Sequence, residues 1–473
     1  MLAEHIKNKI LDNFKHTPTN NQKILIERLS EFIVPLNNKT ILLLTGYAGT
    51  GKTTVISAFV NTLEEFKQKS VLIAPTGRAA KVISAYSKKT AFTIHKKIYI
   101  QKTATDDLGK FVLNANLTTN TIFIVDEASM ISNTNDSGIF GSGRLLDDLI
   151  NFVFSGKGCK LIIIGDTAQL PPVKSNLSPA LNEKEIEFYG KQIETVNLSE
   201  VVRQTKKSGI LFNATKIRNK ITNNENGYPI IEYKNFTDVV KLNGEDLIET
   251  IATSYEKYGS ENTIIVTRSN KRANKFNEGI RRTILFRDEE ISNGDFLMIV
   301  KNNYFWLPEN KYTNFIANGD IVRISRIGKY ENFYGFRFVN VDVQFVDYPE
   351  MEISTKIILN TLSSETASLS TDQNREFFFR VAEDYEHIKD KKKRYAEIRK
   401  NPFFNALQVK FAYAVTCHKA QGGQWDSVFI DHGYITPESV DVDFLRWLYT
   451  AFTRASKKVH LINFNKEFFE IET

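Results

Sequence analysis

The sequence predicts an α/β protein with two parallel-sheet cores, the second of them interrupted by a small β-module. Three observations carry this expectation. Short apolar runs at Ile41–Leu44, Val71–Ala74, Ile122–Val125 and Leu161–Ile164 alternate with longer segments of helical spacing, the pattern of a parallel sheet covered on both faces. A second set of runs follows residue 200, at Ile264–Val266, Phe411–Val415, Val428–Ile430 and Val459–Ile462. Between these, residues 290–406 change character: Gly294-Asp295 and Gly319-Asp320 mark turns, and Phe336, Phe338, Val341, Val343 and Phe345 roughly alternate. A charged helical stretch follows, where Phe378, Val381, Tyr385, Ile388, Tyr395 and Ile398 keep a three-to-four-residue rhythm. Its basic run Lys389–Arg394 reads equally as a solvated face or a nucleic-acid contact.

At 473 residues the chain is too long for one core, so three or more packed units are expected. An apolar fraction of 42% with only 11 prolines describes a folded protein. The two cysteines, Cys159 and Cys417, form no CxxC pair, which points to a reducing compartment. No run approaches the ~20 apolar residues of a membrane span. The N-terminus interleaves charges with apolar residues and lacks the apolar stretch of a secretory signal. A cytoplasmic, nucleoid-associated location is expected. The net charge of +7 permits a polyanionic partner without proving one.

Residues Gly46-Tyr47-Ala48-Gly49-Thr50-Gly51-Lys52-Thr53 follow the first apolar run in strand–GxxxxGK[ST]–helix order, the signature of a phosphate-binding P-loop. The glycines let the backbone N–H groups of Gly46 through Thr54 curl around phosphates. Lys52 reaches the β/γ-phosphates, Thr53 takes a place on Mg²⁺, and the helix aims its positive end at the anion. The chain is therefore expected to bind a nucleoside triphosphate such as ATP. Asp126-Glu127 ends the third run; adjacent carboxylates there suit Asp126 for the metal shell and Glu127 for activating water. Gln169, after the fourth run, stands where ligands gather in such sheets and could bond the γ-phosphate or its attacking water.

GYAGTGKTT (46–54), APTGRAAK (74–81), TIH (93–95), VDEASM (125–130), GDTAQLPPV (165–173), LSEVVRQ (198–204), VTCHKAQGGQWDSV (415–428) and YTAFTRA (449–455) occur in the order of the superfamily-1 helicase motifs. The chain most resembles the type B subgroup, the RecD/Dda-like 5′-to-3′ DNA helicases, over residues 20–460. The resemblance implies two RecA-like cores with ATP and Mg²⁺ in the cleft between them. The first core would comprise 1–95 and 119–198, the second 199–289 and 407–473, and the SH3-like module with its helical extension 290–406. It makes Gln22 the adenine-reading glutamine, and Arg203 and Arg454 the arginines presented to the γ-phosphate. It places Pro75, Thr76, His95, Thr416 and His418 on loops facing single-stranded DNA. Gln424 departs from the pattern, standing where many of these helicases carry a glutamate for the nucleotide sugar.

Ile98-Tyr99-Ile100 and Phe111-Val112-Leu113 flank a polar TATDDLGK and read as a β-hairpin within 96–118. It resembles the inserted pin of Dda-like enzymes, with Phe111 in the place of the wedge aromatic. The implied partners are single-stranded and forked DNA, together with replication or repair proteins. Two alternatives stay open: an RNA-directed motor on the same cores, or an ATPase recruited into a repair or replication complex through its β-module.

Overall fold

The computed structural model describes residues 2–34, 40–101, 111–134, 140–173, 175–202, 208–307 and 316–469. The first half contributes β1 (Thr40–Gly46), β2 (Ser70–Ala74), β3 (Ala91–Thr93), a hairpin of β4 (Tyr99–Gln101) and β5 (Phe111–Leu113), then β6 (Ile122–Val125), β7 (Lys160–Gly165) and β8 (Gln192–Leu198). All but the hairpin form one parallel sheet in the order β3-β2-β6-β7-β1-β8. Because alternate side chains enter two covered faces, β1 is apolar over the consecutive residues Ile41–Leu44. Leu42 and Leu44 pack toward Leu25, Leu29, Val55 and Phe59, whereas Ile41 and Leu43 pack toward Leu146, Leu149, Ile150 and Val153. β1, β6 and β7 run side by side, so the P-loop, Asp126 and Gln169 emerge at one edge of the sheet.

The second half contributes β9 (Val239–Leu242), β10 (Thr263–Thr267), β11 (Phe296–Ile299), β12 (Ile321–Phe333), β13 (Phe336–Phe345), β14 (Glu352–Ile358), β15 (Leu407–Phe411), β16 (Ala414–Thr416), β17 (Trp425–Asp431) and β18 (Ala455–Ile462). The order β16-β10-β17-β18-β9 gives a second parallel sheet. β11 through β15 close into a five-stranded barrel, antiparallel except at the β14–β15 pair. The protein is thus α/β with two RecA-like cores and a β-barrel inserted in the second.

Two local differences from the sequence reading have physical causes. The run Phe411–Val415 is not one strand: β15 closes the barrel, beyond residue 406, and β16 joins the second core. Tyr413 sits between them, 2% exposed, its hydroxyl donating to Asp295 Oδ1 at 2.9 Å and accepting from Arg287 Nη1 at 2.9 Å. The charged stretch is likewise two helices, Thr371–Glu383 and Lys391–Ile398. Asp390 starts the second by accepting the N–H groups of Lys392 and Lys393.

Candidate active site and nucleic-acid interface

The P-loop leaves β1 and enters the helix Lys52–Glu65, with Thr53 and Thr54 in its first turn. Gly49 and Gly51 adopt φ of +76° and +80°, left-handed conformations that a side chain would strain. Lys52 Nζ donates to the carbonyls of Gly46 (2.5 Å) and Tyr47 (2.9 Å), and the Thr50 hydroxyl to Tyr47 O at 2.8 Å. Gln22 is 2% exposed and has both amide atoms engaged. Its Oε1 accepts the Thr19 N–H in a capping box, and its Nε2 donates to Thr50 O at 2.9 Å. It therefore braces the loop directly.

Asp126 follows β6, and its Oδ1 accepts the Glu127 N–H at 2.8 Å. Burial and the adjacent Glu127 charge push the Asp126 carboxyl up to about 7, with Lys52 pulling the other way. The Asp126 carboxylate and the Thr53 hydroxyl are hard oxygen donors, the kind that fits a divalent cation like Mg²⁺. Glu127 has φ of +53°, a left-handed backbone in a residue other than glycine. Gln169 is 7% exposed, and its Oε1 accepts from the Ser129 hydroxyl at 3.5 Å.

The second core meets this edge through the helix Val442–Phe452. Tyr449 Oη accepts the Ala48 N–H at 2.9 Å, the Thr450 hydroxyl accepts the Leu170 N–H at 2.8 Å, and Arg446 Nη1 reaches the Thr167 and Gln169 carbonyls. Arg454, 4% exposed, donates within its own core to Thr450 O (3.1 Å), Gly423 O (3.2 Å) and Thr453 Oγ1 (3.2 Å). Arg203 lies outside the described residues. Gln424 Oε1 accepts from the Tyr86 hydroxyl of the first core at 3.3 Å.

Pro75 and Thr76 follow β2, and Thr76 caps the helix Gly77–Ser87 by accepting the Ala79 N–H at 3.2 Å. From the second core, Gly422 lies so close that a Cβ there would stand 3.2 Å from Thr76 Oγ1. Thr416 ends β16, and His418 sits on the following turn, its imidazole pKa lowered by burial. His95 lies edge-on to Phe140 (centroids 5.0 Å) and close to Tyr99 (5.6 Å); burial pushes it down to about 4 and so keeps it neutral. Phe111 stacks on Phe140 at 4.8 Å and touches Tyr304 at 4.4 Å. The loop end of the β4–β5 pair is thereby held against Tyr304, after β11. Sequence reasoning did not single out Tyr449, Phe140 or Tyr304, nor Arg78, whose guanidinium lies 3.9 Å over the Trp425 ring across the two cores. Tyr449 and Arg78 stand inside recognised motifs, which was the available signal.

A P-loop, a strand-end carboxylate pair and a second RecA-like core packed against the same edge mark a two-core protein of the P-loop NTPase class. Residues 34–226 match the AAA domain model, and residues 411–462 match the UvrD-like helicase C-terminal domain. The chain is 23% identical over 500 residues to the RecBCD enzyme subunit RecD of Buchnera aphidicola, covering 94% of this chain and 73% of that one. It is 25% identical over 410 residues to the ATP-dependent DNA helicase dda of Enterobacteria phage T4, covering 82% and 86%. A solved Pif1 helicase from Bacteroides, in complex with ADP-AlF3 and ssDNA, is 15% identical with a TM-score of 0.48, covering 97% of this chain and 95% of that one. The chain belongs to the superfamily-1 helicases, as a distant relative of RecD and Dda.

Proposed function

We propose that the chain is an ATP-driven motor that moves 5′ to 3′ along single-stranded DNA and separates duplex ahead of it. The observation that carries this reading is the cleft itself: the P-loop and the turn after β7 are joined by hydrogen bonds to a helix of the second core. Phosphate binding there is coupled directly to how the two cores sit.

On this reading Gly46, Ala48, Gly49, Thr50, Gly51, Lys52, Thr53 and Thr54 cradle the triphosphate, and Lys52 exchanges its two carbonyls for β/γ oxygens. Gln22, held against the loop through Thr50 O, contacts adenine. Thr53 and Asp126 would hold Mg²⁺, which supplies charge neutralisation at the β/γ oxygens. Glu127 takes the proton of the attacking water, Gln169 orients that water, and Arg203 and Arg454 stabilise the charge that develops on the transferred phosphoryl group. Pro75, Thr76, His95, Thr416 and His418 hold the strand by turns through backbone contacts, which position DNA without reading sequence. The hairpin meets the fork, with Phe111 in the strand pair next to its loop. Breaking each base pair costs ~1–2 kcal/mol of stacking, within reach of one ATP per step.

Forked DNA carrying only a 5′ or only a 3′ single-stranded tail, incubated with ATP and Mg²⁺, tests the proposal. Unwinding from the 5′ tail alone is the expected outcome. Unwinding only from the 3′ tail overturns the direction, and none from either overturns the motor.

A further inference from the structure

Tyr449 belongs to the second core, yet both polar partners of its side chain belong to the first. It is 1% exposed on the helix Val442–Phe452. Its hydroxyl accepts the Ala48 N–H at 2.9 Å and donates to Asp166 Oδ2 at 2.7 Å. Ala48 is part of the P-loop, and Asp166 follows β7, three residues before Gln169. The Asp166 carboxylate also orders its own turn, since Oδ1 accepts the Ala168 N–H at 2.9 Å. The next contact repeats the arrangement: Leu170 gives its N–H to Thr450 at 2.8 Å and accepts from Gln421 Nε2 at 2.7 Å. One phenol thus joins the phosphate loop, the Gln169 turn and the helix that ends two residues before Arg454.

We propose that Tyr449 is a positioning residue for ATP hydrolysis, holding the second core, and Arg454 with it, in register with the P-loop and the Gln169 turn. The inference rests on the motor reading above. A hydroxyl suits the task because it accepts one bond and donates another at once. Without it, a backbone N–H and a 2% exposed carboxylate lose their partner in a closed interface. Phenylalanine keeps the ring volume and loses both bonds. Since the tie orders groups that act on the transition state, its loss falls on kcat more than on KM.

The test compares the parent with Tyr449→Phe, Asp166→Asn and the double variant. Asparagine leaves one side-chain acceptor at 166 where two are used. Steady-state ATP turnover is measured on saturating single-stranded DNA, and hydrogen exchange is measured on nucleotide-free protein over residues 46–52 and 442–454. Tyr449→Phe is expected to lower kcat about tenfold or more, leave KM for ATP within about threefold, and speed exchange in both segments. The double variant is expected to be no slower than the slower single, because both remove the same link. A kcat within twofold of the parent, a loss confined to KM, or losses that multiply would overturn the assignment. If the parent itself turns over no ATP on DNA, the motor reading fails instead. Exchange then decides the tie alone, and unchanged protection in Tyr449→Phe removes it.

Discussion

Glu127 offers a perturbation in which stability and activity should part company. Its backbone stands at φ +53° and ψ +38°, starting the turn Ala128–Met130 with no side-chain cap bond. Holding a non-glycine residue there costs on the order of 1–3 kcal/mol. Glycine removes that strain and adds about 0.5–1 kcal/mol of unfolded-chain entropy, so Glu127→Gly should gain about 1 kcal/mol overall. Glu127→Gln keeps the same backbone and should leave stability nearly unchanged. Activity runs the other way: a positioned general base contributes about 10²–10⁴ in rate, and both variants lose it. Urea midpoints of the nucleotide-free chain, read by far-UV circular dichroism, measure the first effect. Phosphate release on saturating single-stranded DNA, with nucleotide binding checked separately, measures the second. A lower urea midpoint for Glu127→Gly would refute the strain argument. Glu127→Gln turnover within tenfold of the parent would refute the general-base role.

Arg203→Ala and Arg454→Ala should each cut ATP turnover by about 10³ or more while nucleotide affinity moves far less; normal hydrolysis on saturating DNA would make either arginine structural. Phe111→Ala removes ring contacts to Phe140 and Tyr304, so unwinding should slow while DNA-stimulated ATP turnover stays near the parent value. Unwinding at the parent rate would take Phe111 out of strand separation. His460 is 4% exposed, stacked on Phe429 at 4.2 Å, and burial lowers its pKa to about 4. Its folded value lies below the unfolded ~6.5, so its contribution is full above that pH and is lost as pH falls toward 4, on the order of 3 kcal/mol. Neither ring nitrogen has a hydrogen-bond partner. His460→Phe should therefore match the parent at pH 7 and lose less stability between pH 6.5 and 4.5; an unchanged slope in urea melts across that range would count against it.

What the sequence revealed and what it hid follow from the range of the forces involved. β1, β6, β7, β10 and β17 were legible because strands buried on both faces carry consecutive apolar residues through their centres. β8 was not, because at the sheet's edge only Val196 and Leu198 of QIETVNL are buried. β15 and β16 merged into one apolar run because periodicity cannot say that the chain changes sheets at Tyr413. At the site, spacing after apolar runs put the P-loop, Asp126, Glu127 and Gln169 at strand ends, and the structure brings those ends to one edge of the sheet. The strain at Glu127 left no trace, because a glutamate before alanine is compatible with ordinary backbone and only the packed turn forces φ positive. The joints between cores were hidden for a different reason. Tyr449 and Ala48 are 401 residues apart, and Arg78 meets Trp425 only once two sheets have folded and closed. Each half of such a pair looks like an ordinary motif residue by itself. The chemistry of the cleft is therefore written locally in the chain, whereas its coupling to the second core is a property of the closed cleft.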